Sequence, residues 1–340
     1  MSHDIECKNG VWSFVYSPQE GAAWHKLGVE LPDTASSADW RAAAGHNFTV
    51  SKRQLYFAGA DGQMKAFDDR FGMVRDDTQY PLGIGSGVYK ITQPAQINDI
   101  CDEFASYDAK LGRSAAFVLR KGDLICSTYA YRDTVTVGGD THKAYLMAST
   151  SFDGSSATRF WIALVRAVCA NTIAAGLAES DAIVTVRHNT KLVASKVQEQ
   201  LATLAQSVER YKAIGDMLAA ATLSAQEIAF FLRDVLDIPR DASPDDVSTK
   251  KKNQRQAIID AMQITANERG KDRATGYDAF TVLQGLTRYV DHDRAVRDTA
   301  NGADDIARFD SANFGSGQTM KIGAVTLLQN LLKEREKVAA

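Results

Sequence analysis

The sequence predicts an α+β fold, in which an antiparallel sheet with a β-hairpin packs on a long helix and a helical C-terminal region follows. Two observations lead to this prediction. Residues 1–190 contain short β-branched and aromatic runs separated by Gly, Asp-Gly and Pro, a pattern typical of strands and hairpins. From residue 191 onward, apolar residues recur at helical spacing. We therefore expect a core domain at 1–190, a long amphipathic helix with a helical extension at 191–238, a linker at 239–249 and helices at 250–340.

The composition supports a globular protein and excludes a uniformly basic one. Of 340 residues, 45% are hydrophobic and 24% are charged, enough apolar material for a sizeable core. Lys plus Arg number 39 and Asp plus Glu 42, a formal net charge of -3, so any nucleic-acid-binding surface must be local. The sequence shows neither a membrane-length apolar run nor a signal peptide, which predicts a cytoplasmic protein without a membrane partner.

Cysteine and histidine spacing points to no metal site. The four cysteines form no C-x-x-C pair, and the six histidines form no H-E-x-x-H pattern. We expect reduced thiols, no metal and no cofactor.

Seven segments of the first 190 residues are predicted to be strands: 48–50, 54–58, 71–74, 87–91, 115–120, 124–131 and 145–152. The polar turn Lys121-Gly122-Asp123 joins two apolar runs, which predicts a β-hairpin. Gly138-Gly139-Asp140 predicts the next reversal of the chain.

Three helices are expected within the same region. The first covers Ser36 to Ala44, and the second covers Pro94 to Tyr107 with Pro at a first-turn position. The third runs from Ser156 or Ala157 to about Ala175 and is expected to be the central helix of the domain. Its apolar residues recur at helical spacing: Phe160, Leu164 and Val168.

The second half is predicted to be helical throughout. A helix over 191–221 carries apolar residues at heptad spacing: Val197, Leu201, Leu204, Val208 and Tyr211. This pattern fits either a coiled coil or, as we favour, a helix packed on its own domain. Ser224 with Glu227 forms a capping box before the next helix, and Ser248-Thr249 caps another that runs to about Glu268. Further helices are expected at 277–291 and 319–337.

Two pairs of carboxylates, Asp68-Asp69 and Asp76-Asp77, flank a short predicted strand. Converging carboxylates can bind a divalent cation, which would indicate a metal-dependent nuclease. Asp also favours turns, through hydrogen bonds to the local backbone, and we favour this interpretation.

The Ser/Gly-rich turn over 149–157 is the most informative segment. Ser155 or Ser156 is expected to cap the following helix and to leave hydroxyl and N–H groups available to a phosphate. Ordinary capping without a ligand is the alternative. Arg187 lies beside His188 and close to Lys191 in a small basic cluster, which could equally be a solvated loop.

Several strings of residues together resemble the phage/plasmid-like protein family, a domain of unknown function carried by phages, prophages and conjugative plasmids. The strings are Trp24-His25-Lys26-Leu27-Gly28, Val74-Arg75-Asp76-Asp77-Thr78, Leu82-Gly83, residues 151–157, residues 165–172 and Val186-Arg187-His188-Asn189-Thr190. The resemblance covers about residues 20–235. Phe152 stands where the family's histidine is expected, which argues against an essential histidine at that position.

The order of elements also resembles the core of single-strand annealing proteins, namely the Rad-type annealases of eukaryotes and the phage annealases RecT and Red-beta. The shared order is a hairpin, a further strand, a Gly/Ser turn and a long helix that contains an arginine. This resemblance implies a ring or filament of identical subunits that holds single-stranded DNA in a basic groove between the hairpin and the helix.

Carried onto this chain, the resemblance assigns DNA-binding roles to side chains near the hairpin and the helix. The phosphate-contacting candidates are Arg113, Arg120, Lys121, Arg132 and Lys143, and Arg159 and Arg166 would continue the groove. To these we add Ser155 and Ser156 of the turn and Arg187 of the basic cluster as DNA-binding candidates. Tyr129 and Tyr131 are two residues apart on one strand and are expected to stack on bases. Arg159 and Arg166 are expected on one side of the central helix.

The functional prediction is a single-stranded DNA binding and annealing protein of a phage or plasmid in its bacterial host. It would act in recombination as a homo-oligomer without catalytic turnover, with an exonuclease or a single-strand binding protein as a possible partner. The alternatives are a protein-binding module that blocks host restriction or defence, and a metal-dependent nuclease.

Overall fold

A computed structural model describes residues 5–20, 27–166, 172–174, 183–271, 276–295, 311–312 and 315–339. The fold is α+β, as predicted. The strands are β1 (Cys7–Lys8), β2 (Val11–Trp12), β3 (Phe14–Tyr16), β4 (Val29–Glu30), β5 (Val50–Ala58), β6 (Met64–Arg75), β7 (Pro81–Ser86), β8 (Leu111–Leu119), β9 (Leu124–Val137), β10 (Asp140–Ser151), β11 (Thr158–Arg166), β12 (Thr172–Ala174), β13 (Ile183–Val186), β14 (Thr222–Leu223) and β15 (Tyr277–Asp278). The helices are α1 (Ser37–Ala44), α2 (Pro94–Ser106), α3 (Ala194–Ala205), α4 (Ser207–Ala219), α5 (Ala225–Val235), α6 (Thr249–Glu268), α7 (Ala279–Arg288) and α8 (Ser316–Ala339).

An eight-stranded sheet organises the first half of the chain. Its strands lie in the order β12-β11-β10-β9-β8-β3-β4, and β13 pairs with β11 beside β12. Every pair is antiparallel except β3 with β4. Strands β5, β6 and β7 form a separate three-stranded sheet.

Both predicted reversals are confirmed. A short 3₁₀ turn, Arg120–Gly122, joins β8 to β9 and brings Leu119 opposite Leu124. The next hairpin joins β9 to β10 through Gly138 and Gly139, whose φ angles of 57° and 87° meet the left-handed requirement of a two-residue turn.

The prediction of a strand at 87–91 is wrong, because the strand lies just upstream at β7. Residues of β7 pair with β6, and Met73 lies opposite Gly83. The chain turns after Gly87, so that Val88 is 65% exposed and the Tyr89 hydroxyl donates to the Ser151 carbonyl over 3.1 Å.

The prediction of a central helix after Ser156 is also wrong, because residues 158–166 form strand β11. Five consecutive side chains of this strand are buried: Phe160, Trp161, Ile162, Ala163 and Leu164. Since successive side chains of a strand point to opposite faces, both faces of β11 are covered. Such a strand is continuously apolar, and spacing alone does not distinguish it from a buried helix. Residues 167–171, including Cys169, lie outside the described residues.

This correction changes the roles given to two serines and two arginines. Ser155 and Ser156 do not cap a helix. The Ser155 N–H and hydroxyl donate to Asp153 Oδ1 over 2.9 and 2.6 Å, and the Ser156 N–H donates to Ser151 Oγ over 2.9 Å. Arg159 and Arg166 lie on strand β11, so the helical spacing that placed them on one side does not apply.

The helix predicted over 191–221 is divided into α3 and α4, which meet at Gln206. Val197, Leu201 and Tyr211 are buried in the main hydrophobic core of the chain. The heptad pattern therefore reflects packing on the protein's own domain, the interpretation we favoured.

The C-terminal helices share that core with the sheet. It includes Leu146 and Phe160 of the sheet together with Phe280 of α7 and Leu328 of α8. Packing is tight where α4 crosses β9, because a Cβ on Gly215 would lie 2.3 Å from Val137 Cγ1. Among the described helices, none combines the length and the apolar character of a membrane span.

The local signals for helix starts are confirmed. Ser36, Ser224 and Ser248 each accept a backbone N–H with their side chain at the start of α1, α5 and α6. Glu227 completes the capping box of α5 by accepting the Ser224 N–H over 2.7 Å. Helix α7 ends earlier than predicted and continues as a π turn, Tyr289–Asp293.

Candidate nucleic-acid interface

The structure brings four predicted site residues together in one cleft of about 230 Å³ on strands β8, β9 and β10: Arg113, Tyr131, Arg132 and Lys143. Each cation in this cleft is held by a carboxylate. The ion pairs are Arg113 Nη2 to Asp102 Oδ1 at 2.8 Å, Arg132 Nη2 to Asp33 Oδ2 at 2.7 Å and Lys143 Nζ to Glu20 Oε1 at 2.5 Å. A phosphate would therefore compete with carboxylates that are already in place.

The Arg113–Asp102 pair is half-buried at the wall of the cleft. Arg113 also donates to the Ala35 carbonyl over 2.7 Å. Burial opposes ionisation of Asp102, but hydrogen bonds from Arg113, Ser37 and Tyr129 outweigh it and hold the pKa of Asp102 below its ordinary value. Arg113 thus ties β8 to α2 in this structure.

The two tyrosines occupy different environments. Tyr129 is 1% exposed and donates its hydroxyl to Asp102 Oδ1 over 2.5 Å, so no face of its ring is available to a base. Tyr131 is half-buried in the cleft, and burial raises its pKa to about 12. The prediction that both tyrosines stack on bases is therefore wrong for Tyr129, and only Tyr131 lies in the cleft.

The hairpin turn places Arg120 and Lys121 in a second cleft, of about 590 Å³, beside β1. Both residues have a positive φ, 50° and 59°. Lys121 is exposed, with Nζ 5.1 Å from the centre of the Tyr80 ring, and its carbonyl accepts from the buried Arg75 over 2.9 Å. Burial, and then the nearby Asp153, raise the pKa of Asp123 in this cleft to about 6.

The acidic pair Asp76-Asp77 holds local structure together. Asp76 accepts the hydroxyls of Ser51 and Thr49 over 2.6 and 2.8 Å, and Asp77 accepts from Arg75 over 2.7 Å. Asp69 lies on strand β6 and Asp76 follows its last residue, and seven residues of extended chain span roughly 23 Å at about 3.3 Å per residue. In the described part of the chain, no group of three or more His, Cys, Asp or Glu side chains is arranged to hold a metal ion.

The loop after β13 is anchored by His188. Its ring stacks on Tyr89 at 4.4 Å between centroids and 14° between planes. His188 Nδ1 lies 3.2 Å from the Lys90 carbonyl, and Nε2 lies 2.9 Å from the Ser156 carbonyl. The loop therefore has a fixed position against the Ser/Gly turn.

A third cleft, of about 530 Å³, follows this loop and is lined by Arg187, Lys191 and Lys196. We call it the basic cleft. All three cations are exposed. No carboxylate among the described residues forms an ion pair with any of them, in contrast to the cleft of Arg113. Thr185, Thr190 and Gln200 add polar side chains to its walls.

Two further predicted residues lie near or beyond the basic cleft. Arg159 lies opposite Thr185 in the register of β11 with β13, which places it next to the wall of the cleft. Arg166 ends β11, and its side chain lies outside the described part of the structure. Trp24 and His25 also lie outside the described residues.

Sequence reasoning missed Lys196 and did not include Lys191 among the site residues. A signal was present, because residues 182–198 contain Arg187, Lys191 and Lys196 but no Asp or Glu. Such a window predicts an unbalanced patch even in a chain of net negative charge.

Comparison with family profiles matches residues 81–313 to the domain of unknown function DUF932. This match covers more than half of the 340 residues. The chain belongs to the DUF932 family. The comparisons find no curated protein and no solved structure that matches it.

The DUF932 region contains the whole basic cleft but only part of the cleft of Arg113. It begins at the start of β7 and includes every residue of the basic cleft. Glu20 and Asp33, which neutralise Lys143 and Arg132, lie before it. The three cations of the basic cleft are thus part of the family domain, whereas two of the three carboxylates that neutralise the cleft of Arg113 are not.

Proposed function

We propose that this DUF932 protein binds single-stranded DNA in the basic cleft and acts as a non-catalytic annealing protein of a phage or plasmid. The observation that supports this proposal is the set of three exposed cations, Arg187, Lys191 and Lys196, that form no ion pair with a described carboxylate. Phosphate contacts by Lys and Arg supply most of the affinity of sequence-independent binding.

The form of the site favours a single strand over a duplex. A flexible strand can bend into a cleft, whereas duplex DNA has a persistence length of about 50 nm and stays straight over such a distance. Thr185, Thr190 and Gln200 offer neutral hydrogen-bond donors between the cations. The anchored His188 fixes the loop that carries Arg187, so little ordering of the backbone is needed on binding.

The proposal does not depend on the groove that was expected between the hairpin and a long helix. Strand β11 occupies the place of that helix, and Arg113, Arg132 and Lys143 are paired with carboxylates. The annealing role itself rests on the resemblance to the phage and plasmid family, because the element order that also suggested it includes the helix that β11 replaces.

The test compares two double variants that each reverse two charges. Lys191→Glu with Lys196→Glu changes the basic cleft, and Lys121→Glu with Arg132→Glu changes the hairpin region by the same net charge. Fluorescence anisotropy of a labelled poly-thymidine oligonucleotide, with a duplex of equal length, measures affinity at about 50 and 200 mM salt. We expect the cleft variant to lose at least about tenfold in affinity and to reduce the salt slope by about 1.4, since each single-strand phosphate contact contributes about 0.7.

The outcomes separate the hypotheses. Loss of binding in the hairpin variant alone would move the site to the hairpin region, where Lys121 and Arg132 lie in two clefts. A wild-type protein that binds no oligonucleotide at low salt would refute DNA binding and favour the protein-binding module. Annealing is measured separately, as the rate at which two complementary labelled strands pair with and without the protein.

A further inference from the structure

Two strands extend beyond the three-stranded sheet as an uncovered ribbon. Strand β7 pairs with β6 only over Arg70–Val74, so residues 55–69 form a two-stranded hairpin of β5 and β6 with the turn that joins them, which we call the ribbon. The ribbon carries four large apolar side chains that are each between 47% and 63% exposed: Tyr56, Phe57, Met64 and Phe67. A two-stranded hairpin is only marginally stable in water unless a further surface covers it.

Two of these side chains contact each other. The rings of Phe57 and Phe67 meet edge to face with 6.1 Å between centroids. Exposed apolar side chains that contact one another form a patch, and large patches of this kind mark interaction sites.

The same chain has an apolar groove of about 270 Å³ on its C-terminal helices, between α5, α6 and the β14–β15 pair. Its walls are made largely by Leu223, Ile228, Ala229, Leu232, Ile259 and Met262. Arg255 lines the groove and is exposed. The groove therefore offers apolar walls with a positive charge at its edge.

The charges of the ribbon and the groove are complementary. Within the ribbon, Asp61 pairs with Lys65 at 3.1 Å, and Asp69 pairs with the adjoining Arg70 at 3.1 Å. Asp68 is exposed and forms no ion pair with any described residue. Arg255 likewise has no ion pair in the described part of the chain, so the unbalanced charge is negative on the ribbon and positive at the groove.

We propose that the ribbon of one copy of this chain docks into the apolar groove of a second copy. Phe57 and Phe67 would contact the apolar walls, and Asp68 would approach Arg255. Because the two surfaces differ, each copy keeps a free ribbon or a free groove after the first contact. Such head-to-tail contacts generate a closed ring or an open filament. The inference goes beyond the proposed function, which requires only the basic cleft.

The first test measures the size of the full-length protein by mass photometry and light scattering without DNA. Phe57→Ser with Phe67→Ser removes the ribbon contact, and Ala229→Glu fills the groove with a charge. We expect both variants to be monomers, whereas the wild type forms larger assemblies as its concentration rises. Val88→Ser, which changes a 65% exposed side chain outside the ribbon, is the matched control and should assemble like the wild type. Circular dichroism and thermal unfolding establish that each variant is folded.

Mixing the two monomeric variants tests the head-to-tail arrangement directly. The ribbon variant retains its groove and the groove variant retains its ribbon, so an equimolar mixture can form one contact per pair. We expect dimers and no larger species. Charge exchange gives an independent test: Asp68→Arg and Arg255→Asp should each weaken assembly about tenfold or more, and the double variant should recover it.

Several results would overturn this proposal. These are a wild type that stays monomeric at every concentration, variants that assemble unchanged, or a mixture that stays monomeric. If the ribbon variant loses oligonucleotide affinity while its assembly is unchanged, the aromatic side chains contact bases instead. The assembly proposal and the proposed function can fail independently. The variant Lys191→Glu with Lys196→Glu should assemble normally, and the monomeric ribbon variant should still bind a short oligonucleotide.

Discussion

A buried histidine makes the stability of this protein sensitive to mild acid. His46 is 1% exposed. Its Nε2 lies 3.0 Å from the Phe117 carbonyl, and its Nδ1 lies 3.0 Å from the Asn98 amide nitrogen. These contacts match a neutral ring that donates from Nε2 and accepts at Nδ1. Burial lowers the pKa of His46 from 6.5 to about 4, although the hydrogen bond to Phe117 opposes this change.

The sign and size of the effect follow from this difference. Between pH 6.5 and 4 the unfolded chain binds a proton that folded His46 does not, so the free energy of unfolding falls as the pH falls. With a folded pKa of about 4, the loss from this residue is about 2 kcal/mol at pH 5 and about 3 kcal/mol at pH 4. Carboxylates whose pKa is lowered in the folded state, such as Asp102, act mainly below this range because their unfolded pKa is near 3.8.

The variant His46→Gln isolates the contribution. Glutamine offers one donor group and one acceptor but does not titrate, so it can replace the hydrogen bonds without the acid sensitivity. Urea unfolding followed by circular dichroism at pH 7, 6 and 5 gives the free energy of each protein. We expect the advantage of the wild type over the variant to shrink by about 2 kcal/mol from pH 7 to pH 5. An advantage that stays constant over this range would refute the assignment of the acid sensitivity to His46.

Two further predictions concern charged side chains near the hairpin turn. Arg75 is buried, with Nη1 2.6 Å from Glu6 Oε1 and its guanidinium 3.9 Å from the centre of the Phe48 ring. Arg75→Lys should therefore lower the free energy of unfolding by roughly 1–3 kcal/mol. The exposed control Arg53→Lys should change it little. Equal melting temperatures for these two variants would contradict the packing role of the guanidinium. Asp123 has a pKa raised to about 6, so its protonated form stabilises the fold at low pH and this contribution is lost as the pH rises through 6. Because this side chain is partly exposed, Asp123→Asn should stabilise the protein by only about 1 kcal/mol at pH 8 and not at pH 4, and an equal effect at both values would show that the carboxyl is not perturbed.

The elements that sequence reasoning predicted correctly depend on local chemistry. Two positive-φ glycines are enough to predict the reversal at Gly138-Gly139, and a serine side chain that bonds its own helix start is enough at Ser224 and Ser248. These signals act within four residues of the chain, so they do not depend on the rest of the fold.

The elements that it missed depend on distant parts of the chain. Strand β11 is a strand because β10 lies on one side of it and β12 and β13 lie on the other, and because both of its faces are covered. Its apolar residues match helical spacing equally well, so local pattern could not decide. The ion pairs of the Arg113 cleft are similarly hidden, since Arg132 and Lys143 meet their carboxylates 99 and 123 residues away.

The same distinction explains how a chain of net charge -3 can present a cationic site. At physiological ionic strength the screening length is about 8 Å, so a phosphate responds to the charges within that distance and hardly to the total. Arg132 and Lys143 fail this local criterion because a carboxylate lies within 2.7 Å of each, whereas Arg187, Lys191 and Lys196 meet it among the described residues. Net charge therefore carries little information on whether this DUF932 protein binds DNA. Whether each cation has a carboxylate partner is much more informative, and this can be read only from the folded structure.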